Sequence, residues 1–294
     1  PHLFYNGKRT YTRLLMKAGL IEEREESLEE KVLMRAYPTL LSLDSPHWIS
    51  YLKENLKAPQ RPTTILDREY AAMLYHTLIS KDLEALGIIS PEALILSLGH
   101  WQPFIKELEA FLTMQENALS FLPQSPGVLY PCALEVYCHY TRNQIFAALG
   151  YDHPSSIREG VKFMTPEKSF AVTHPTDVFL VTLNKSDRDF SETTRYEDYS
   201  IDRMTFHWQS QSTTTPHSKT GQRYERLCRE KEKAGYILLF VRENKKDAYG
   251  GTQSYTFLGR VSIERLQGSQ PMTAILKLAL PLSAGLLTET DASG

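Results

Sequence analysis

The chain has 294 residues, of which 41% are hydrophobic, 23% charged and 11% aromatic, and its formal net charge is −2. That is room for one large domain or two ordinary ones, and it excludes a disordered chain, a collagen-like repeat and a disulfide-built scaffold. No apolar run approaches the roughly 18 residues of a membrane span, and the opening PHLFYNGKRTYTRLL lacks the features of a secretory leader.

Three cysteines, Cys132, Cys138 and Cys228, form an odd and sparse set that fits a reducing, cytoplasmic setting. A chain that starts with Pro rather than Met is expected to be cut from something longer.

Up to about residue 125 the pattern is helical. Ser27 to Glu30 has capping-box spacing, and Leu28, Val32, Leu33 and Ala36 recur on one helical face behind it. Ser45-Pro46 and Ser90-Pro91 each set a capping residue before a proline at the first helical position. Tyr70 to Ile79 and Trp101 to Leu119 read as two more helices. Residues 1–130 carry 13 basic and 16 acidic side chains, a mildly acidic bundle.

The run Leu122-Pro-Gln-Ser-Pro-Gly127 breaks this pattern. One helix follows, with a capping box at Thr141 to Gln144 and a terminal glycine at Gly150. Beyond it the signal is β. Residues 178–183 (VFLVTL) and 236–241 (YILLFV) are apolar on both faces, as in strands buried on two sides. Residues 255–258 and 272–278 are further strands, the latter bounded by Pro271 and Pro281. Strands spaced by turns with few helices between them predict an antiparallel barrel or strongly bent sheet. The fold class is therefore α+β: a helical domain over 1–125, a mainly antiparallel, barrel-like domain over 130–288 with one or two helices, and a frayed tail at 289–294.

Enzyme signatures are scarce. The chain has no GxxxxGK[ST], HxKxxxxD, GxSxG or HExxH motif, and Cys132, Cys138 and His139 lack the spacing of a zinc site. No catalytic residue, metal or cofactor is expected. Glu243-Asn244-Lys245 after the second apolar strand has the acid-x-Lys spacing of one nuclease class, but a solvated hairpin turn accounts for it better.

One stretch stands apart. Residues 204–224, MTFHWQSQSTTTPHSKTGQRY, contain no acid, and the window 203–246 holds 10 basic and 4 acidic residues. Local positive charge on a near-neutral chain is the footprint expected where phosphates dock. Gln209 and Gln211 are suited to pair with bases, and His207 and Trp208 to stack on a splayed base. These four are the base-contact candidates; Lys185, Arg195, Lys219, Arg223, Lys245 and Lys246 are the phosphate-contact candidates. Phe206 and Trp208 also alternate, so they read equally as the core face of a strand, which would turn His207 and Gln209 outward. A second polar cluster, Asn184-Lys185-Ser186-Asp187, ends the 178–183 strand and reads either as a phosphate contact or as a capped turn.

Taken in order, YTRNQIFAALGY, VFLVTLNKSDRDFSETTRYEDYSI, FHWQSQSTTTPHSKTGQRY, ILLFVRENKKD and YTFLGRVSIERLQGSQPM resemble an uncharacterised conserved domain. In that family the domain lies at the C-terminal end of bacterial DEAD/DEAH-type superfamily 2 helicases, often with a phospholipase-D-type nuclease domain at the N-terminus. KRTYTRLLMKAGL and LEEKVLMRAYPTLLSLDSPHWISYL resemble the segment that precedes it. The resemblance implies a piece of a DNA-processing machine of restriction, phage-defence or repair type. The expected partners are DNA, modified or not, and the helicase core and nuclease domains of the parent chain, with no membrane. It implies no residue roles.

The expectation is a DNA-recognition module that the N-terminal helices dock onto a motor. Two alternatives stand beside it: a nuclease built from scattered acids such as Glu192, Glu197, Asp198 and Glu243, or a protein-interaction module that regulates the helicase core.

Overall fold

The computed structural model describes residues 11–40, 42–101, 104–119, 122–158, 160–184, 198–248 and 250–282. They form two compact units. The first holds the described residues up to Pro123 with Pro131–Leu134 and Cys138–Ser155; the second holds Gln124–Tyr130, Glu135–Tyr137 and the described residues from Ser156 on. The chain thus changes unit several times between Pro123 and Ser156. Residues 138–155, read from sequence as part of the C-terminal domain, cluster with the helices.

The first unit contains α1 (Tyr11–Lys17), α2 (Leu28–Leu40), α3 (Pro46–Lys57), α4 (Ile65–Leu78), α5 (Lys81–Ala85), α6 (Pro91–Ser97), α7 (Phe104–Ala118), the two-residue strand β1 (His139–Tyr140) and α8 (Arg142–Ala148). Short polar side chains set several starts. In α2 the Glu30 amide donates to Ser27 Oγ at 3.3 Å and the Ser27 amide to Glu30 Oε2 at 2.8 Å. Thr141 and Gln144 close the same reciprocal box at α8, and Thr64 and Asp67 close one at α4. Each such cap is worth about 1 kcal/mol. α8 packs on α4, and Gln144 Nε2 donates to Thr77 Oγ1 at 2.9 Å beneath the apolar contact. On α4's buried side, Glu69 Oε2 accepts the Ala133 amide at 2.6 Å, while its Oε1 has no partner among the described residues. Burial pushes that carboxyl up to about 9, against the smaller pull of the Ala133 amide.

The second unit is a curled, mixed half-barrel. Its elements are β2 (Val161–Met164), β3 (Thr176–Thr182), β4 (Tyr199–Ser200), β5 (Thr205–Gln209), α9 (Lys219–Glu230), β6 (Tyr236–Arg242), β7 (Tyr255–Gly268) and β8 (Met272–Leu278). The strands run in the order β2-β3-β6-β7-β8-β5-β4. All neighbours in that order are antiparallel except β3 and β6, which run parallel from Thr176↔Tyr236 to Thr182↔Arg242. The sheet is thus mainly antiparallel, as expected, with one parallel pair. That pair comprises the two strands whose sequences are apolar on both faces, and every residue of both is buried.

Two rings report how far the sheet curls. Phe179 on β3 and Trp208 on β5 are four strand positions apart, about 19 Å along a flat sheet. Their centroids nevertheless lie 4.1 Å apart with ring planes at 15°. Tyr224 of α9 meets both edge-on, at 5.8 Å and 5.5 Å. The helix therefore plugs the concave side, where Leu227, Ile237, Leu239, Ile263 and Leu276 complete the core. The seat is tight: a Cβ on Gly221 would lie 1.9 Å from the Thr215 carbonyl oxygen. Only glycine fits there without moving the backbone.

Candidate nucleic-acid interface

Alternation along β5 decides the fate of the tryptophan. Phe206 and Trp208 point into the core, at 0% and 3% exposure, whereas Thr205, His207 and Gln209 point outward. Trp208 as a base contact is therefore corrected: its ring is spent on Phe179 and Tyr224 and offers no face to a ligand.

Arg223 is corrected as well. It projects from α9 into the core and grips the buried Asp177 with both arms, Nε to Oδ2 at 2.9 Å and Nη2 to Oδ1 at 2.8 Å. Its guanidinium carbon also sits 4.2 Å from the centre of the Phe163 ring. Burial pushes the Asp177 carboxyl up, and the Arg223 fork opposes that push. A cation committed in this way holds the helix to the sheet and has no charge to spare for a phosphate.

The remaining candidates divide by strand direction. Gln211 is exposed just past the C-terminal end of β5, and Lys219 is exposed at the first position of α9. Lys245 and Lys246 are exposed in the β6–β7 hairpin, where Lys246 bridges to Thr252. Since β5 runs opposite to β6 through the ladder, that hairpin lies at the other end of the sheet from Gln211. Lys185 and Arg195 lie outside the described residues. Asn184 does meet the hairpin: its amide donates to the Glu243 carbonyl at 2.8 Å, and its Nδ2 reaches Asn244 Oδ1 at 3.2 Å. The first bond extends the β3–β6 ladder and the second is between side chains; Lys185, Ser186 and Asp187 lie outside the described residues.

For the nuclease alternative, Glu243 follows the end of β6 while Asp198 precedes β4, two strands of the same direction, so these acids stand at opposite ends of the sheet. Glu192 and Glu197 lie outside the described residues. Among the described residues no group of three or more His, Cys, Asp or Glu is placed to hold a metal.

What the fold does assemble is the outward face of β4-β5-β8-β7. One row across it reads Tyr199, His207, Ile275, Arg265. The next, towards the end of β5, reads Gln209, Thr273, Gln267, and the row on the other side reads Thr205, Lys277, Ser262. Tyr199 and His207 stack across the strands with centroids 4.6 Å apart and planes at 13°. Tyr199 is 44% exposed. Arg265 and Lys277 are exposed, and among the described residues neither has an ion pair.

The acids that border this face are engaged. Asp198 accepts the Gln209 amide at 3.0 Å. Asp202 accepts the Met204 amide at 2.7 Å, a bond that holds its carboxyl below the ordinary range. Glu264 lies 3.6 Å from Lys231. Tyr199, Arg265, Gln267 and Lys277 escape a reading of the sequence because only the pairing register brings them to His207. Past Val261, β7 parts from β6 and leaves a cleft of about 390 Å³ over an apolar floor that includes Leu227, Val261 and Ile263. Ser262 and Lys277 belong to both the cleft and the outward face.

Among the described residues no helix is long and apolar enough to cross a membrane. No curated protein matches the chain. The family described as a domain of unknown function, DUF3427, matches residues 134–289, more than half of the 294 and nearly all of the curled sheet with its helix; the chain belongs to that family.

Proposed function

We propose that the C-terminal unit is a DNA-binding module of a helicase–nuclease type protein in restriction, phage defence or repair, and that the N-terminal helices dock it to the motor. One observation carries the reading: a solvent-facing sheet surface combines a stacked Tyr199–His207 pair, the amides Gln209 and Gln267, and two cations, Arg265 and Lys277, that have no ion pair among the described residues. Rings stack on bases, amides read base edges and cations neutralise phosphates. The chain leaves that surface through Gln211 and reaches the exposed Lys219 without meeting an acid. The motor and nuclease partners rest on the resemblance of the sequence blocks. Free thiols at Cys132, Cys138 and Cys228 support a reducing, cytoplasmic compartment.

With so few cations, non-specific affinity belongs in the range of about 10⁻⁴ to 10⁻⁶ M at physiological salt. The test is a titration of the 294-residue chain with labelled DNA between 50 and 200 mM salt. Affinity should fall as salt rises, and Lys277→Ala and Arg265→Ala should each flatten the log–log slope by about one unit. Absence of binding at 50 mM, or binding indifferent to salt, overturns the reading.

A further inference from the structure

We infer that this face takes unpaired nucleobases, so the module's substrate is single-stranded or locally opened nucleic acid rather than closed duplex; this rests on the DNA-binding reading above and specifies its ligand. The Tyr199–His207 stack uses one face of each ring. β4 ends the strand order among the described residues, which sets Tyr199 at that margin of the sheet, and close to half of its surface meets solvent. The phenol ring is a stacking surface, and a base offers it a π-face only when that base is out of the duplex stack.

The rows around the pair have the spacing such a strand needs. Successive outward positions on a β-strand lie about 6.8 Å apart, twice the roughly 3.4 Å rise per nucleotide along the axis of a stacked helix, so bases seated on them are out of stack. A nucleic-acid strand drawn out along β5 therefore offers one base to the Tyr199–His207 row and the next to the Gln209–Thr273–Gln267 row. Its backbone would meet Lys277 and Arg265, which lie one and two strands inward from β5. The four strands of the face measure about 14 Å between outer axes, wider than the roughly 12 Å major groove, which admits a helix or a two-stranded ribbon. Reading an intact duplex would leave most of these side chains without a partner.

Anisotropy titrations of the 294-residue chain against a labelled 20-nucleotide single strand and the same sequence as duplex, at 50 mM salt, test this. The single strand should bind about tenfold tighter or better. Tyr199→Ala should lose about tenfold in single-strand affinity, within the range set by one stacked base, and change duplex affinity less than twofold. Tyr199→Trp should retain binding. A strand carrying 2-aminopurine should be quenched by the unmodified protein and by Tyr199→Trp, and should stay bright with Tyr199→Ala. Equal affinity for the two substrates, or a Tyr199→Ala loss shared equally between them, overturns this inference and leaves DNA binding standing. Absence of binding to either substrate overturns both.

Discussion

Each unit buries a carboxylate, and the two are held in opposite ways. Asp177 in the sheet unit faces a guanidinium that fills both of its oxygens. Among the described residues, Glu69 in the helical unit has one backbone amide, no cation, and one oxygen without a partner. Asp177 is a charge kept by a dedicated counter-charge; Glu69 is an acid kept by holding its proton. The first arrangement fixes an orientation, that of α9 on the curled sheet. The second fixes little and ties stability to pH.

The largest effect expected from this contrast comes from removing the cation. Arg223→Met strands the charge of Asp177 in the core and should cost about 3–5 kcal/mol in a urea melt of the full chain, while pairing it with Asp177→Leu should recover most of that loss. A cost below about 1 kcal/mol would mean that the pair does not clamp the helix.

Next comes the pH dependence set by Glu69. Unfolded, this carboxyl releases its proton near 4.5; folded, near 9. Between those values the native state holds the extra proton, so stability should fall as pH rises, by at most about 1.4 kcal/mol per unit for a single group. Glu69→Gln should flatten that stretch of the profile, and a wild-type profile that rises from pH 5 to 8 would contradict the assignment.

The two sides of β5 should differ most simply of all. Trp208→Ala opens a cavity among stacked rings, at about 3–5 kcal/mol, whereas His207→Ala, one residue away on the solvent side, should stay within about 0.5 kcal/mol. Comparable losses from the two would mean that the outward row is covered.

How much of this was legible in the sequence follows the range of each interaction. Capping boxes are local, so Ser27–Glu30 and Thr141–Gln144 mark real helix starts, and the all-apolar runs at 178–183 and 236–241 fall on two adjacent, fully buried strands, β3 and β6. The prolines at 271 and 281 do bound a strand, Met272–Leu278. α9 was not legible. KTGQRYERLCRE shows only Tyr224, Leu227 and Cys228 as an apolar stripe, and its early glycine reads as a turn although close packing against Thr215 requires it.

Long-range partners were beyond reach. Asp177 precedes Arg223 by 46 positions, and no spacing rule joins them. Trp208 shows the cost of weighing residue type over alternation. Indole is a good stacking group, but period-two patterning offered the competing reading, with Trp208 on the same side as Phe206 and His207 with Gln209 on the other, and that is the arrangement found. The scatter of cations between the two ends of the sheet depends on strand direction, and strand direction depends on which strands pair.

The Phe179–Trp208 contact works as a clasp between β3 and β5, each one strand in from an end of the strand order. With the helix filling the hollow side, His207 and its neighbours sit on the bulging one, where side chains fan apart as they rise from the backbone. If the face takes nucleic acid as proposed, a strand crossing these β-strands would have to arch over the bulge, whereas one drawn along β5 follows the direction of least curvature.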